Sequence, residues 1–237
     1  MNILSHTTIV PTLSVTLSVD DLAEQLRRVP GGERLIDQAA EVLTGFGHTW
    51  SSAAVFRTMV VEGRNESHLK VRVLENGHQA SLALGCSTTF LNHADLVVAG
   101  GYTVGKKVQD ASSMASRRKD YLASYLIEQL GLTLLGKTGA IVNHHIEAIA
   151  GTMGWGVGPL LSPGSVHGWE LTDQENLCKL LPLAEIGMEC GAGGVLAPFN
   201  SLTFLVGLGP DYTSSRIGSP CAICNNRRNC YLHHDTP

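Results

Sequence analysis

From residue 54 to residue 85 the apolar positions fall in runs rich in β-branched side chains, AVFRTMVVEG (54–63) and HLKVRVLENGHQASLALG (68–85), which predict strands. Glu75-Asn76-Gly77 interrupts the second run as a hairpin turn, because glycine tolerates a positive φ. A further strand is predicted in ADLVVAGGYTVG (94–105), ending in a glycine-rich turn. Beyond it the pattern changes to helical. Tyr121, Leu122, Tyr125, Leu126, Gln129 and Leu130 form a stripe with helical spacing, expected to pack on the sheet within a helical block of about residues 106–155. Upstream, residues 19–45 hold two helix-like stretches separated by Pro30-Gly31-Gly32, a helical hairpin.

Downstream of the helical block, GWGVGPLLSPGSVHGW (154–169) reads as a loop. Thr172 with Glu175 three residues later has the form of a capping box for a short helix carrying Leu177, Leu180 and Leu181. IGMECGAGGVLAP and NSLTFLVGLG then read as a strand, a tight connection and a final strand, and the polar tail begins near Pro210. Helices and strands mix without a regular βαβ rhythm, so the expected class is α+β rather than a doubly wound sheet. The expected division is an N-terminal helical and strand cap (1–59), an α+β body (60–212) and a cysteine-rich tail (213–237).

Composition narrows the function class. Hydrophobic residues make up 43% of the 237 residues and charged residues 16%, with a net charge of -4, which excludes a disordered chain and a generic basic nucleic-acid binder. The N-terminal stretch has no lysine or arginine before its first acids, Asp20 and Asp21, and no apolar tract approaches the roughly 20 residues of a membrane span. A cytoplasmic protein without a membrane segment is expected. In a reducing compartment its six cysteines are not expected to form structural disulfides.

The candidate chemistry lies in the tail, where CAICNNRRNC places Cys221, Cys224 and Cys230 within ten residues. Clustered thiolates are soft ligands suited to zinc or to an iron-sulfur cluster, and the spacing alone does not choose between them. Zinc would complete its four ligands with His233 or His234. A [4Fe-4S] cluster would either leave one iron open or take a distant fourth ligand, for which Cys190, between a strand-like run and a glycine-rich turn, is preferred and Cys86 is the alternative. Arg227 and Arg228 would offset cluster charge, form a docking patch or lie as a solvated surface. Cys178 reads as a small core residue.

Other chemistries lack their signatures. Gly101 and Gly105 do not make a dinucleotide loop. His144, His145 and Glu147 do not make H-E-x-x-H. Ser162, Ser165 and His167 lack the nucleophile elbow and an acid of a serine hydrolase.

Four segments in order, LALGCSTTFLNHADLVVAGGYTVGKKV (82–108), the block beginning DYLASYLIEQLG, LSPGSVHGWELTDQENLCKLL (161–181) and IGMECGAGGVLAPFNSLTFLVGLG (186–209), resemble the reactivation domain of cobalamin-dependent methionine synthase and its stand-alone relatives. The resemblance implies a curved, mixed or antiparallel sheet with flanking helices and a connection to corrinoid proteins. In the full synthase this domain binds S-adenosylmethionine and helps return oxidised cobalamin to its methylated state. That family's methyl-donor motif has an arginine before Ala- or Ser-Pro-Gly-Tyr. Here Leu161 stands at or next to the arginine position and Ser165 replaces the tyrosine after Pro163-Gly164, which argues against an S-adenosylmethionine site. The tail resembles the C-terminal cysteine clusters of small iron-sulfur relatives associated with corrinoid metabolism. Together these imply an iron-sulfur redox protein, with Cys221, Cys224, Cys230 and Cys190 on a [4Fe-4S] cluster and the SPGSVHGW loop lining a partner or small-molecule pocket. It would deliver electrons to a corrinoid protein, or act as its reductive activator, with an electron donor as second partner and a second copy of the chain as a further partner the sequence admits. The alternative is a zinc-stabilised structural or protein-binding module without redox activity.

Overall fold

The computed structural model of the chain describes residues 7–47, 50–218 and 223–225. Their centre is a seven-stranded sheet in the order β4-β3-β2-β5-β9-β6, with β1 paired to β2 off that path. The strands are β1 (Thr8–Val10), β2 (Ala53–Arg64), β3 (His68–Val73), β4 (Gln79–Ala83), β5 (Leu96–Thr103), β6 (Gly156–Val157) and β9 (Ser201–Gly209). A separate two-stranded hairpin pairs β7 (Glu189–Cys190) with β8 (Leu196–Ala197). Neighbouring strands all run antiparallel, and the register of β2 against β3 shifts between Val61 and Gly63, a bulge that adds to the curvature. The expected hairpin turn is present: Gly77 has φ +69° and donates its N–H to the Val73 carbonyl at 2.9 Å.

The middle strands are buried on both faces, which is why their sequences read as unbroken apolar runs. Along β5, Val97 and Ala99 enter one core with Val55, Val71, Leu205 and Trp169, while Leu96, Val98 and Tyr102 enter the opposite core with Phe56, Phe204 and Val206. β2 carries the sheet across residue 59, where the N-terminal cap was expected to end. Arg57 ties it to its surroundings, donating to Thr7 Oγ1 at 2.7 Å and to the Leu180 carbonyl at 2.5 Å.

Five α-helices flank the sheet among the described residues: α1 (Val19–Arg27), α2 (Ile36–Phe46), α3 (Lys106–Arg117), α4 (Tyr121–Thr152) and α5 (Gln174–Cys178). The α1–α2 hairpin forms as the Pro-Gly-Gly break requires. A capping box starts α1, with Asp21 N–H donating to Ser18 Oγ at 3.2 Å and Ser18 N–H donating to Asp21 Oδ2 at 2.8 Å. Lys137 of α4 meets the same carboxylate at 2.8 Å. Partial desolvation pushes the Asp21 carboxyl up, but the Lys137 ammonium and the Ser18 hydrogen bonds outweigh it and hold the group below the usual carboxylate range.

Two expectations are corrected. The stripe at the start of α4 does not pack on the sheet: Tyr121 and Leu122 are exposed, and Leu126 and Leu130 join Leu22, Leu26, Leu43 and Val108 in a separate helical core. At about 1.5 Å per residue, 32 residues span roughly 48 Å, and the helix packs on the sheet farther along, through Leu135, Val142, Ile146 and Ala150. Nor do Thr172 and Glu175 form a capping box. Helix α5 follows a 3-10 turn, Asp173 at its N-cap makes no side-chain cap bond, and Glu175 Oε1 instead accepts from Gly193 N–H at 2.9 Å, tying the helix to the β7–β8 hairpin. No helix among the described residues is long and apolar enough to cross a membrane.

Candidate functional site

The SPGSVHGW loop leaves the sheet at Leu161, which exchanges backbone hydrogen bonds with Leu205 of β9 at 2.9 and 2.8 Å. It folds back on itself, Gly164 N–H donating to the Trp169 carbonyl at 2.8 Å and Ser165 N–H to the Ser162 carbonyl at 3.1 Å. Val166 and Trp169 anchor it by entering the core that also holds Leu177, Leu180 and Leu181. A buried indole and a buried valine therefore fix the loop, while Gly164 and His167 stay exposed.

Beside the loop is a cavity of about 350 Å³. Its lining includes Ser162, Ser165, Gln174, Val195, Phe199 and Thr203. Gln174 is held by its side-chain amide, which donates to the Gly194 carbonyl at 2.5 Å. Thr203 is fully buried and its hydroxyl has no partner, a cost that a ligand hydrogen bond would offset. Leu171, Val195 and Phe199 stand exposed at the rim, Phe199 by 73%. A small apolar-walled pocket with convergent hydroxyls and an apolar rim suits an uncharged moiety inside and a partner surface outside.

The cysteines fall in two places. Cys178 and Cys190 are neighbours whose side chains interact, and both line a larger open groove of about 690 Å³ with Glu175, Lys179 and Met188. Burial, then the adjoining Cys190, push the Cys178 thiol up to about 12, consistent with a neutral core thiol. Cys86 instead lies beside the SPGSVHGW loop, donating from Sγ to the His167 carbonyl at 3.3 Å. Cys224 reaches the same loop from the tail: it pairs with Val166 in an antiparallel bridge, and Asn225 N–H donates to the Ser165 carbonyl at 2.9 Å. Cys221, Cys230, Arg227, Arg228, His233 and His234 lie outside the described residues. Among the described residues no three or more His, Cys, Asp or Glu side chains converge as a metal site.

No protein-family model and no curated protein matches the chain. Among solved structures it is similar to the MetH reactivation domain bound to AdoHcy, with a TM-score of 0.64 and 14% sequence identity over 91% of this chain and 85% of that one. The chain has a reactivation-domain-like fold. The antiparallel, helix-flanked sheet agrees with what the sequence resemblance implied. Leu161, at or beside the expected arginine position, is a fully buried core residue. Ser165, in place of the tyrosine, lines the small cavity.

Sequence reasoning missed the tail's own anchors. Tyr212 Oη donates to the Phe90 carbonyl at 2.7 Å, and Val157 N–H donates to the Ser214 carbonyl at 2.8 Å. Glu147 takes Arg216 at 3.0 Å and Ile217 N–H at 2.9 Å, so it serves the tail rather than either neighbouring histidine; His145 tilts against Phe56 with 6.2 Å between ring centres. No sequence motif marks these pairs, which join residues far apart in the chain.

Proposed function

We propose that the chain is an iron-sulfur redox protein that delivers electrons to, or reductively reactivates, a corrinoid protein. The observation that carries this reading is the return of Cys224 to the SPGSVHGW loop, next to the cavity and its apolar rim, on a reactivation-domain-like body. Cys221, Cys224 and Cys230 would hold a [4Fe-4S] cluster, and their thiolates are the soft donors such a cluster takes. Bound there, the cluster would supply one-electron redox chemistry beside the partner-facing surface. The chain's own residues do the positioning. Ser165 and Val166 hold the backbone of Cys224 and Asn225, Trp169 and Val166 keep the loop rigid, and Leu171, Val195 and Phe199 offer apolar surface to the partner.

Anaerobic purification with iron, sulfide and zinc analysis and electron paramagnetic resonance tests the proposal. Iron matched by acid-labile sulfide, with a signal that appears on reduction, is the expected result. Stoichiometric zinc with neither iron nor sulfide overturns it in favour of the zinc-stabilised module, with His233 or His234 as fourth ligand.

A further inference from the structure

We infer that Cys178 and Cys190 form a redox-active dithiol that exchanges with small disulfides entering the groove beside α5, an activity that does not depend on the tail site proposed above. Cys178 ends α5 and Cys190 ends β7. Their neighbours lace the two segments together: Glu175 Oε1 accepts from Gly193 N–H at 2.9 Å, and the Gln174 side-chain amide donates to the Gly194 carbonyl at 2.5 Å. These ties set the two free thiols side by side, where the Cys178 thiol donates a hydrogen bond to the Cys190 sulfur.

The two sulfurs differ in access. Cys178 is 8% exposed and packs in the core with Leu177, Leu181 and Met188, whereas Cys190 is half-buried at the edge of that core. A free cysteine ordinarily serves as a small core side chain, which describes Cys178 but not Cys190. Both line the open groove of about 690 Å³, so a molecule in the groove meets Cys190 first and finds Cys178 next to it. Cys190 is therefore the attacking sulfur and Cys178 the resolving one. Glu175 and Glu189 line the same groove against one ammonium, Lys179, which favours a neutral or cationic disulfide over an anionic one.

In the first step the Cys190 sulfur attacks one sulfur of the small disulfide, whose S–S bond breaks, and the proton lost by Cys190 ends on the released thiol. In the second the Cys178 sulfur attacks Cys190 in the mixed disulfide, and its proton ends on the second released thiol. Two cysteine thiols are oxidised to one disulfide, and one small disulfide is reduced to two thiols. The new bond ties α5 covalently to the β7–β8 hairpin, whose Gly194, Val195 and Leu196 border the cavity at the SPGSVHGW loop.

The test treats the reduced full chain with cystamine in the absence of air, quenches in acid, alkylates the remaining thiols after denaturation and reads each cysteine by peptide mass spectrometry. The expected product is a Cys178–Cys190 cross-link, with both residues protected from alkylation. Cys178→Ser should stop at the mixed disulfide, with cysteamine retained on Cys190, and Cys190→Ser should leave Cys178 unmodified by cystamine. Exposed Cys86 serves as the internal control for the reagent. Free Cys178 and Cys190 in a wild-type chain whose Cys86 has reacted overturn the inference. A cross-link from Cys190 to a tail cysteine also overturns it, as does cysteamine on wild-type Cys190 that Cys178 never displaces. Circular dichroism checks the fold of both variants, and the wild-type cross-link decides the matter even if a variant misfolds.

Discussion

If the tail is held in place by Glu147, removing that carboxylate should release it without unfolding the body. Glu147 is 11% exposed at its side chain and accepts from Arg216 Nη1 at 3.0 Å and Ile217 N–H at 2.9 Å. The Arg216 side chain is 76% exposed, so solvent screens that ion pair and it contributes at most about 1 kcal/mol. The backbone bond to a shielded carboxylate is worth more, about 1.5–3 kcal/mol. Glu147→Ala should therefore weaken local tail closure by about 1.5–3 kcal/mol, which is roughly a 10- to 150-fold rise in amide exchange at about 1.4 kcal/mol per decade. Glu147→Gln keeps an acceptor for Ile217 and should lose less than about 1 kcal/mol. Hydrogen exchange read on peptides covering residues 211–218 makes the comparison, with β5 peptides as an internal control. Equal loss in both variants would mean that charge rather than the backbone acceptor holds the tail. Unchanged exchange in both would refute the anchor.

Three other perturbations probe the fold and its limits. Leu161→Arg, which puts the methyl-donor arginine where the related motif has it, buries an unpaired charge against Leu205. It should cost about 3–5 kcal/mol, seen as a large drop in thermal midpoint, and a stable variant that binds S-adenosylmethionine would overturn the assignment of Leu161 to the core. Burial pushes the Tyr212 phenol up to about 12, although Arg64 pulls it the other way. Its contribution is therefore complete below the unfolded value near 10 and lost as pH rises towards 12, and Tyr212→Phe should flatten the alkaline limb of a denaturation profile. The depressed Asp21 group works with the opposite sign: its stabilisation is present above the ordinary carboxylate value near 4 and fades as pH falls, so Asp21→Asn should flatten the acid limb. An acid limb with the same slope in that variant would contradict the Lys137 and Ser18 contacts.

Local chemistry made much of the fold legible. The Pro30-Gly31-Gly32 break, the Gly77 turn and the β-branched runs act within a few residues, and each produced the element it predicts. The stripe from Tyr121 to Leu130 has a clear helical period, yet period does not say which surface it meets, and α1, α2 and α3 take it in place of the sheet. Thr172 and Glu175 had the right spacing for a capping box, but Gly193 offered Glu175 a stronger claim from a distant turn.

The cysteine spacing of the tail nominated three soft ligands, and the fourth fell to Cys190 in preference to Cys86, or to His233 or His234 for zinc. Sequence distance does not decide between the cysteines, because 34 residues before Cys224 and 138 before it are both remote in a chain that folds back. The sheet decides what lies together: antiparallel pairing and the buried Trp169 carry the SPGSVHGW loop to Cys86, and the bridge at Val166 brings Cys224 to the same place. Residue types and short spacings thus set which chemistry the chain can attempt. Which thiols stand close enough to share a ligand depends on packing between segments far apart in sequence, and only the tertiary structure determines that.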